Sequence, residues 1–259
     1  MAYRENGIVM DRDKKESVIF GINPVREKLK ESPGEILEVI VARGKQRPLL
    51  RLIDAEARRQ GLPLRYVDGA ALNLLVAGAK HQGVAARVAP YVYQSFAGLL
   101  EQIPIRSGPD WILALDGITD PRNLGALLRT AECAGIRHIV MPRDRSVGVT
   151  PTVVKASAGA VHYLTICQVT NLRRALTALK ELGYWVIGLD AGAKESVYGR
   201  TYPERLVIVL GAEGTGVRPL IRQECDFLVS IPMKGRIASL NVAVAGGIFL
   251  YELAREKGF

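Results

Sequence analysis

The stretch LVIVLGAEGTGV, residues 206–217, decides the fold class of this 259-residue chain. An unbroken run of apolar, largely β-branched residues leads directly into Gly211, Gly214 and Gly216. Such a run is typical of a strand buried on both faces of a parallel sheet. Glycines at the carboxyl end of such a strand line the crevice in which α/β proteins bind ligands. The stretch therefore predicts a parallel α/β domain with a ligand site beside Gly211.

Segments of the same kind lie on both sides of this stretch along the chain. The predicted strands are WILALDG from Trp111, HIVMP from His138, YLTICQV from Tyr163 and WVIGLD from Trp185. Between and after them lie the predicted helices, residues 123–134, 172–182 and 241–256. Strands that alternate with helices predict a mostly parallel sheet covered by helices.

The composition of the chain changes along its length and predicts four parts. Residues 1–16 are charged and without pattern, which indicates a flexible arm. Residues 17–88 alternate short strands and helices, as a small α/β domain does. Residues 89–109 hold three prolines and a weak helical stretch near 96–102, and they are predicted to be a linker. Residues 110–259 form the larger α/β domain.

The overall composition restricts the class of protein. The chain carries 35 Lys and Arg against 26 Asp and Glu, a net charge of +9, which favours a polyanionic partner such as nucleic acid. Its amino-terminal residues carry charges throughout and do not resemble a secretory signal, and no apolar run is long enough to span a membrane. Three scattered cysteines and three histidines indicate a reducing cytoplasm and no metal centre.

The first segment with chemical potential is DPRNLGALLRTAECAG, residues 120–135. Asn123 stands at a helix entry just after a predicted strand, and Gly125 allows another backbone to approach closely. Arg129 follows less than two helical turns later, where its guanidinium can bind a phosphate or a carboxylate. An isolated arginine on a helix is more often simply solvated.

The second segment is the opening stretch itself, which resembles a dinucleotide-binding turn only superficially. Its glycines are not spaced as GxGxxG, and no acidic ribose ligand follows at the expected distance. A glycine-rich turn alone is also compatible with a tight turn that binds nothing. Glu213, a carboxylate between glycines, could hold Arg129 or orient a polar atom of a substrate.

The third segment is IPMKGRIASLNVAVAGGIFLYE, residues 231–252. A basic turn, residues 234–236, precedes Ser239 and Asn241 at the start of a long apolar helix. Helix capping explains one of these two polar residues more easily than both. A helix amino terminus is also a site that favours anions.

Taken in order, the three segments resemble a known family. NxxGAxxRTA, LGAEGxG and IPMxGxxxSLNVxVA are similar to the three signature motifs of the SpoU (TrmH-like) RNA 2′-O-ribose methyltransferases of the SPOUT superfamily. FGINPVREKL and KHQGVAARV resemble the two ends of the small substrate-binding domain of that family. The pattern is most similar to the enzymes that methylate a guanosine ribose in large-subunit (23S) ribosomal RNA, and it covers about residues 17–256.

The resemblance implies a knotted SPOUT-type catalytic domain, preceded by a small α/β RNA-binding domain. It also implies a homodimer whose active site draws on both subunits, and S-adenosylmethionine as the cofactor. The residues implied to hold the cofactor are Gly211, Ile231, Leu240, Leu210, Met233 and Ser239. The implied catalytic residues are Asn123, Arg129, Glu213 and Asn241. Ala243 departs from the family, which usually has serine there.

For the reaction, we expect Arg129 to clamp the phosphate beside the reacting ribose and to stabilise charge that develops on the 2′-oxygen. A guanidinium is always protonated, so it is a poor general base. Glu213 and Asn241 are expected to hold Arg129 and the ribose in place. Because no histidine lies in the motifs, water or a substrate phosphate is expected to accept the proton.

Basic residues in both domains are candidates for binding RNA phosphates, although each alone could be a solvated surface charge. They are Arg43, Lys45, Arg47, Lys80, Arg143, Arg145, Lys234 and Arg236. His81 and Gln82 could read the target nucleotide or form a structural turn. Tyr91 and Tyr93 could stack on a base or pack against the linker.

Three other interpretations stay open at this point. One is an RNA-binding or ribosome-assembly protein without catalysis, and another is a nucleotide-dependent dehydrogenase, which the missing fingerprint disfavours. The third keeps the family but changes the substrate to transfer RNA or another ribosomal RNA site.

Overall fold

The computed structural model describes residues 3–5, 8–11, 16–44, 48–103, 109–237 and 239–258. The chain divides into two compact units, Met1–Tyr91 and Val92–Phe259. This division resembles the predicted separation of a small domain from a larger one, although its boundary falls at residue 91.

The first unit is built on a six-stranded sheet. In spatial order its strands are β1 (Tyr3–Glu5), β2 (Ile8–Asp11), β3 (Glu16–Phe20), β6 (Val84–Val88), β4 (Ile36–Ala42) and β5 (Leu64–Val67). All neighbours pair antiparallel except β4 and β5. Its helices are α1 (Ile22–Glu31), α2 (Pro48–Arg59) and α3 (Gly69–Leu75), with a short 3-10 turn at Pro33–Glu35.

By sequence alone, Asn23 followed by Pro24 predicts a helix with Asn23 as its cap, but α1 starts earlier along the chain. The cap is Gly21, whose φ of 96° is a backbone conformation that glycine adopts without cost. No side chain of the cap satisfies the first helical N–H groups; instead the N–H of Ile22 donates to Oε1 of Gln82, at 2.9 Å. Since that acceptor lies 60 residues away, no local pattern could have indicated it.

The structure places two strands in the segment predicted to be a flexible arm. β1 pairs with β2, and β2 pairs with β3, in continuous antiparallel register. The charges of residues 1–16 predict an unstructured arm, but the segment also holds a short apolar run, Ile8–Met10, which forms most of β2. Pairing with β3 satisfies backbone groups in a way that the charge pattern does not reveal.

The second unit contains the parallel sheet that the opening stretch predicted. In spatial order its strands are β11 (Glu195–Ser196), β13 (Phe227–Ser230), β10 (Trp185–Leu189), β12 (Arg205–Gly211), β7 (Asp110–Asp116), β8 (His138–Pro142) and β9 (Thr165–Val169). Every neighbouring pair in this order is parallel. Along β12, five consecutive residues are almost fully buried, as a central strand with both faces covered requires.

Helices cover the sheet of the second unit. They are α4 (Phe96–Gln102), α5 (Pro121–Cys133), α6 (Pro151–Ala156), α7 (Leu172–Glu181), α8 (Pro219–Arg222) and α9 (Val242–Glu256), with a 3-10 turn at Ala160–His162. α5 packs against α9 so closely that a Cβ on Gly246 would come within 2.5 Å of Leu127. The close approach of these helices brings together the first and third sequence segments.

The predicted linker, residues 89–109, is partly incorporated into the second unit. The helix expected near 96–102 is present as α4, and its Leu99 is only 1% exposed within the core. Gln94 bridges to Cys167 beside β9, and the backbone N–H of Val149 donates to the hydroxyl of Tyr93. Prolines are typical of a spacer between domains. Here, however, these tertiary contacts attach the segment to the second unit, which starts at Val92.

Candidate active site

The carboxyl end of β12 is the tightest point of the second unit. A Cβ on Gly211 would overlap the backbone of Gly216 and Val217, because the chain crosses directly over this glycine. The crossing segment closes on itself through a bridge between Ala212 and Gly216. Only glycine fits position 211, so the residue expected to line a ligand site is fixed there by a close backbone contact.

A cavity of about 330 Å³ opens beside this crossing. Its volume lies within the range of roughly 300–1,000 Å³ that is usual for small-molecule sites. The structure brings all six predicted cofactor residues into its wall: Leu210, Gly211, Ile231, Met233, Ser239 and Leu240. The wall also contains residues that sequence reasoning missed, among them Asp190, Val217 and Arg222.

Three of the four predicted catalytic residues form one hydrogen-bonded group at the rim of this cavity. Nδ2 of Asn123 donates to Oε2 of Glu213 at 3.1 Å, and Nδ2 of Asn241 donates to Oδ1 of Asn123 at 3.0 Å. Asn241 also lies 3.5 Å from Glu213. Glu213 itself lines the cavity, so it connects the cavity to the two amides.

Helix ends hold the two asparagines in place. Asp120 caps α5 by accepting from the backbone N–H groups of Arg122 and Asn123, which places Asn123 in the first turn. Asn241 is the cap of α9, and its Oδ1 accepts from the N–H of Ala243 at 2.9 Å. Its oxygen therefore faces the helix while its nitrogen faces Asn123. Position 243 supplies only its backbone to this arrangement, so alanine there leaves the cap intact.

Arg129 does not join this group, contrary to the expectation that Glu213 would hold it. It lies six residues beyond Asn123, about 9 Å along the axis of α5. Its side chain is on the exposed face of the helix, together with Arg122 and Cys133. Among the described residues it has no hydrogen bond or ion pair, and it is not part of the cavity wall. In place of Arg129, Glu213 accepts from the two asparagines.

The predicted RNA-binding residues of the second unit are exposed and follow the carboxyl ends of its strands or the cavity wall. Arg143 and Arg145 follow β8, and the loop that carries them bonds to Ile118 beyond β7 through the N–H of Val147. Arg145 has a φ of 59°, a conformation that non-glycine residues rarely adopt. Lys234 and Arg236 follow directly after Met233 of the cavity wall and are also exposed.

In the first unit, Arg43 and Lys80 lie at one end of the sheet. Arg43 follows β4, and Lys80 precedes β6, which runs antiparallel to it. The N–H of Ala42 donates to the carbonyl of Gly83, which joins the two turns, and both basic side chains are exposed. The predicted contacts Lys45 and Arg47 lie outside the described residues.

His81 and Gln82 serve the fold, which favours the structural alternative for both. His81 is 6% exposed; Nδ1 of its ring accepts from the N–H of Gly83, and Nε2 lies 2.9 Å from Oδ1 of Asn73. Gln82, at a φ of 57°, completes the start of α1. Both side chains are therefore engaged within the unit.

Tyr93 is likewise held by the protein. Its hydroxyl accepts from the N–H of Val149 at 2.7 Å, and burial raises the pKa of its phenol. These contacts favour the packing role for Tyr93. Tyr91 is the last residue of the first unit, and it has a contact of its own.

The cavity fits S-adenosylmethionine by the chemistry of its wall. Leu210, Ile231, Met233 and Leu240 offer apolar surface to a flat base, and the crossing over Gly211 exposes backbone groups that can bond to base and ribose. Polar and charged side chains lie elsewhere in the wall, including Asp190 and Ser239. Mostly apolar walls with a few convergent polar groups are usual for cofactor sites.

Comparisons with known protein families agree with this fold and site. The model of the SpoU rRNA methylase family matches residues 110–251, and the model described as RNA 2′-O ribose methyltransferase substrate binding matches residues 18–94. The two matches define a two-domain RNA methyltransferase. The chain belongs to the SpoU rRNA methylase family, and with that membership it is an S-adenosylmethionine-dependent enzyme.

Relatives with the same two-domain length are similar along the whole chain. The 23S rRNA (guanosine-2′-O-)-methyltransferase RlmB of Xylella fastidiosa is 39% identical over 95% of this chain and 98% of its own. The RlmB of Vibrio vulnificus is 40% identical over 92% of this chain and 96% of its own. These values show that the likeness includes the small unit.

Solved structures share the fold. The SpoU methyltransferase AviRb from Streptomyces viridochromogenes, in complex with AdoMet, has a TM-score of 0.62 at 22% identity, covering 95% of this chain and 94% of that one. The A. aeolicus TrmH/SpoU tRNA modifying enzyme has a TM-score of 0.53 at 27% identity, and it covers only 62% of this chain and 81% of its own.

Two further observations concern membrane-spanning helices and metal-binding side chains. Within the described residues, helices long and apolar enough to cross a bilayer are absent. In the same part of the chain, His, Cys, Asp and Glu side chains form no group of three suited to a metal ion.

Proposed function

We propose that the protein transfers the methyl group of S-adenosylmethionine to the ribose 2′-hydroxyl of a guanosine in 23S ribosomal RNA. The observation that carries this proposal is the meeting of Asn123, Glu213 and Asn241 at the rim of the glycine-walled cavity. The substrate is proposed from the full-length RlmB relatives, which are named for that reaction.

The residues proposed to hold the cofactor are those of the cavity wall. Leu210, Ile231, Met233 and Leu240 would enclose its apolar parts, and the backbone at Gly211 and the side chain of Ser239 would bind polar atoms. When bound, the sulfonium supplies an activated methyl group, which is the difficult part of the chemistry. The protein then has to position the acceptor, which can lower the barrier by roughly 7–11 kcal/mol.

The group at the rim is proposed to orient the ribose. The Glu213 carboxylate already accepts from Asn123, and this fixes its direction beside the cavity. Arg129 is proposed to bind the phosphate next to the target ribose and to stabilise negative charge on the 2′-oxygen. Because a guanidinium stays protonated, the proton passes to water or to a substrate phosphate.

The exposed position of Arg129 supports an active site that is shared between two copies of the chain. Val244 and Tyr251 of α9 are 52% and 49% exposed and lie two turns apart on one face of the helix. This face adjoins the exposed face of α5 that carries Arg129, since α5 and α9 pack together. We propose that the two faces form the interface of a homodimer, in which Arg129 of one protomer serves the cavity of its partner.

A test of the dimer uses Tyr251→Glu, which places a charge in the proposed interface. Sedimentation of the unaltered protein should give the mass of two chains, and the variant should give one. Leu182→Glu, at a similarly exposed apolar residue after α7, should leave the dimer intact. A wild-type protein that sediments as a monomer would refute the shared site.

Further proposals concern the organisation of the chain. Residues 17–88 are proposed to bind the RNA substrate, and residues 110–259 to carry the knotted methyltransferase domain. The close crossing of residues 216–217 over Gly211 supports a trefoil knot. The location proposed for the enzyme is the cytoplasm, where ribosomal RNA is modified.

The reaction is tested by incubating the protein with S-adenosylmethionine labelled in its methyl group. The RNA is 23S ribosomal RNA purified from a strain that lacks the gene. We expect label in a guanosine as a nuclease-resistant 2′-O-methyl dinucleotide, and none in transfer RNA from the same strain. Label in transfer RNA alone would favour the alternative substrate. Label in neither would favour a non-catalytic RNA-binding protein.

A further inference from the structure

A buried carboxylate stands at the end of β7, next to the crossing that walls the cavity. Asp116 is 0% exposed and is the register partner of Gly211 on the neighbouring strand β12. A charged group in such a position is costly unless it is fully paired. Its partner is therefore of functional interest.

That partner is Arg218, which Asp116 binds through both backbone and side chain. The backbone N–H of Arg218 donates to Oδ2 of Asp116 at 2.9 Å, and Nε donates to Oδ1 at 2.7 Å. A second guanidinium nitrogen lies 2.5 Å from Oδ1. A guanidinium matched to a carboxylate in this way is among the stronger and more directional contacts in proteins.

Asp116 and Arg218 stand at the two ends of a loop that forms part of the cavity wall. The loop, Gly211–Val217, begins beside Asp116 in the sheet and ends one residue before Arg218. All seven of its residues line the cavity. Asp116 lies beside the first residue of the loop, and Arg218 follows its last residue. The contacts between Asp116 and Arg218 therefore join the two ends of the loop.

We propose that Asp116 and Arg218 are positioning residues that hold the loop Gly211–Val217 in its cofactor-binding conformation. The proposal rests on the assignment of S-adenosylmethionine to this cavity. Neither residue has to touch the cofactor. A loop that is held only part of the time lowers apparent affinity in proportion to the fraction of competent molecules. Weakening the pair should therefore weaken cofactor binding more than it slows the step that follows.

The test compares Asp116→Asn and Arg218→Lys with Arg173→Lys. Arg173 binds Glu224 through Nε at 2.6 Å in the same unit, and neither residue lines the cavity. Calorimetry with S-adenosylmethionine should show the dissociation constant raised by about tenfold or more in the first two variants, with Arg218→Lys the milder. Turnover at saturating cofactor and the KM for RNA should change by less than about threefold. The control should match the wild type in all three quantities.

A second measurement needs no cofactor. Hydrogen exchange of the free protein should show faster exchange of residues 212–217 in Asp116→Asn and Arg218→Lys, with β8 and β9 unchanged. Unchanged exchange of this loop, or a dissociation constant equal to that of the wild type, would overturn the proposed role. A uniform loss of protection would show a general structural role instead and would also overturn it. If the wild type bound no S-adenosylmethionine, the cofactor assignment would fail. The exchange rates alone would then show whether Asp116 and Arg218 hold the loop.

Discussion

At the scale of single residues, the structure separates the four predicted catalytic residues, which the sequence motifs alone could not distinguish by position. Among the described residues, Asn123, Glu213 and Asn241 form one hydrogen-bonded set that does not include Arg129, which is exposed on α5. This separation is what a shared active site requires. It also predicts that substitution of Arg129 lowers turnover, whereas substitution in the cavity wall lowers cofactor affinity.

Arg129→Ala is expected to lower turnover by roughly 10²–10³-fold or more, because it removes the charge proposed to stabilise the developing oxyanion. Cofactor affinity should be almost unchanged, since Arg129 is not in the cavity wall. Calorimetry with S-adenosylmethionine and a methyl-transfer assay measure the two quantities. Loss of cofactor binding in parallel with activity would refute the assigned role.

Gly211→Ala is expected to act on the cavity itself. The added methyl would overlap the backbone of Gly216 and Val217, so the crossing must shift and the cavity with it. We expect loss of measurable cofactor binding and a lower melting temperature. Gly235→Ala is the matched control, because a Cβ at Gly235 meets nothing within 4 Å. Cofactor affinity that survives Gly211→Ala would contradict the close crossing.

At the scale of helices and strands, the third sequence segment shows how one residue serves both fold and site. Asn241 caps α9 with its oxygen and holds Asn123 with its nitrogen. The sequence left two candidates for the cap, Ser239 and Asn241, and the structure assigns it to Asn241. Ser239 is exposed and lines the cavity.

The two tasks of Asn241 can be separated by substitution. Asn241→Ala should cost about 1 kcal/mol of folding stability and most of the activity, whereas Asn241→Asp should keep the cap and still lose activity. Asn171→Ala removes the cap of α7, whose side chain accepts from the N–H of Arg174. It should cost similar stability and leave methyl transfer intact. Chemical denaturation and the transfer assay report the two effects, and an active Asn241→Asp would contradict the assigned amide contact.

The sequence predicted the central elements well and the peripheral ones poorly. β8, α7 and α9 lie within one residue of their predicted bounds, because each follows a clear apolar pattern along the chain. The start of α1, the strands in residues 3–11 and the docking of α4 all depend on partners far along the chain. Local patterns carry no information on such partners.

The candidate site, too, was only partly predictable from the sequence. The six residues proposed to hold the cofactor were predicted through family motifs, and all six line one cavity. Asp116 and Arg218 were missed, although an aspartate that ends the apolar run WILALD was a visible signal. Its partner lies 102 residues away, so only the fold could reveal the pair.

At the scale of the whole molecule, basic groups are exposed in both units, as one long anionic partner requires. Arg43 and Lys80 lie on the first unit, and Arg143, Arg145, Lys234 and Arg236 lie on the second. If about five of the basic residues bind phosphates, the logarithm of RNA affinity should fall against the logarithm of salt concentration with a slope near −4. Titrations at several salt concentrations measure this slope.

Substitution of two of these residues refines that prediction. Arg43→Gln with Lys80→Gln should make the salt slope shallower by roughly 1.5 and should leave cofactor binding unchanged. Arg58→Gln with Arg59→Gln, at two exposed arginines of α2 that pair with Asp54 and Glu56, is a charge-matched control. An unchanged slope in the double variant would remove these residues from the RNA-binding surface.

The most direct test of the account is a map of 2′-O-methyl groups on ribosomal RNA from a strain that lacks this gene. The map should lose one guanosine site in 23S RNA, and the site should return with the wild-type gene but not with Arg129→Ala. A complete set of 2′-O-methyl groups on 23S RNA in the deletion strain would contradict the proposed function.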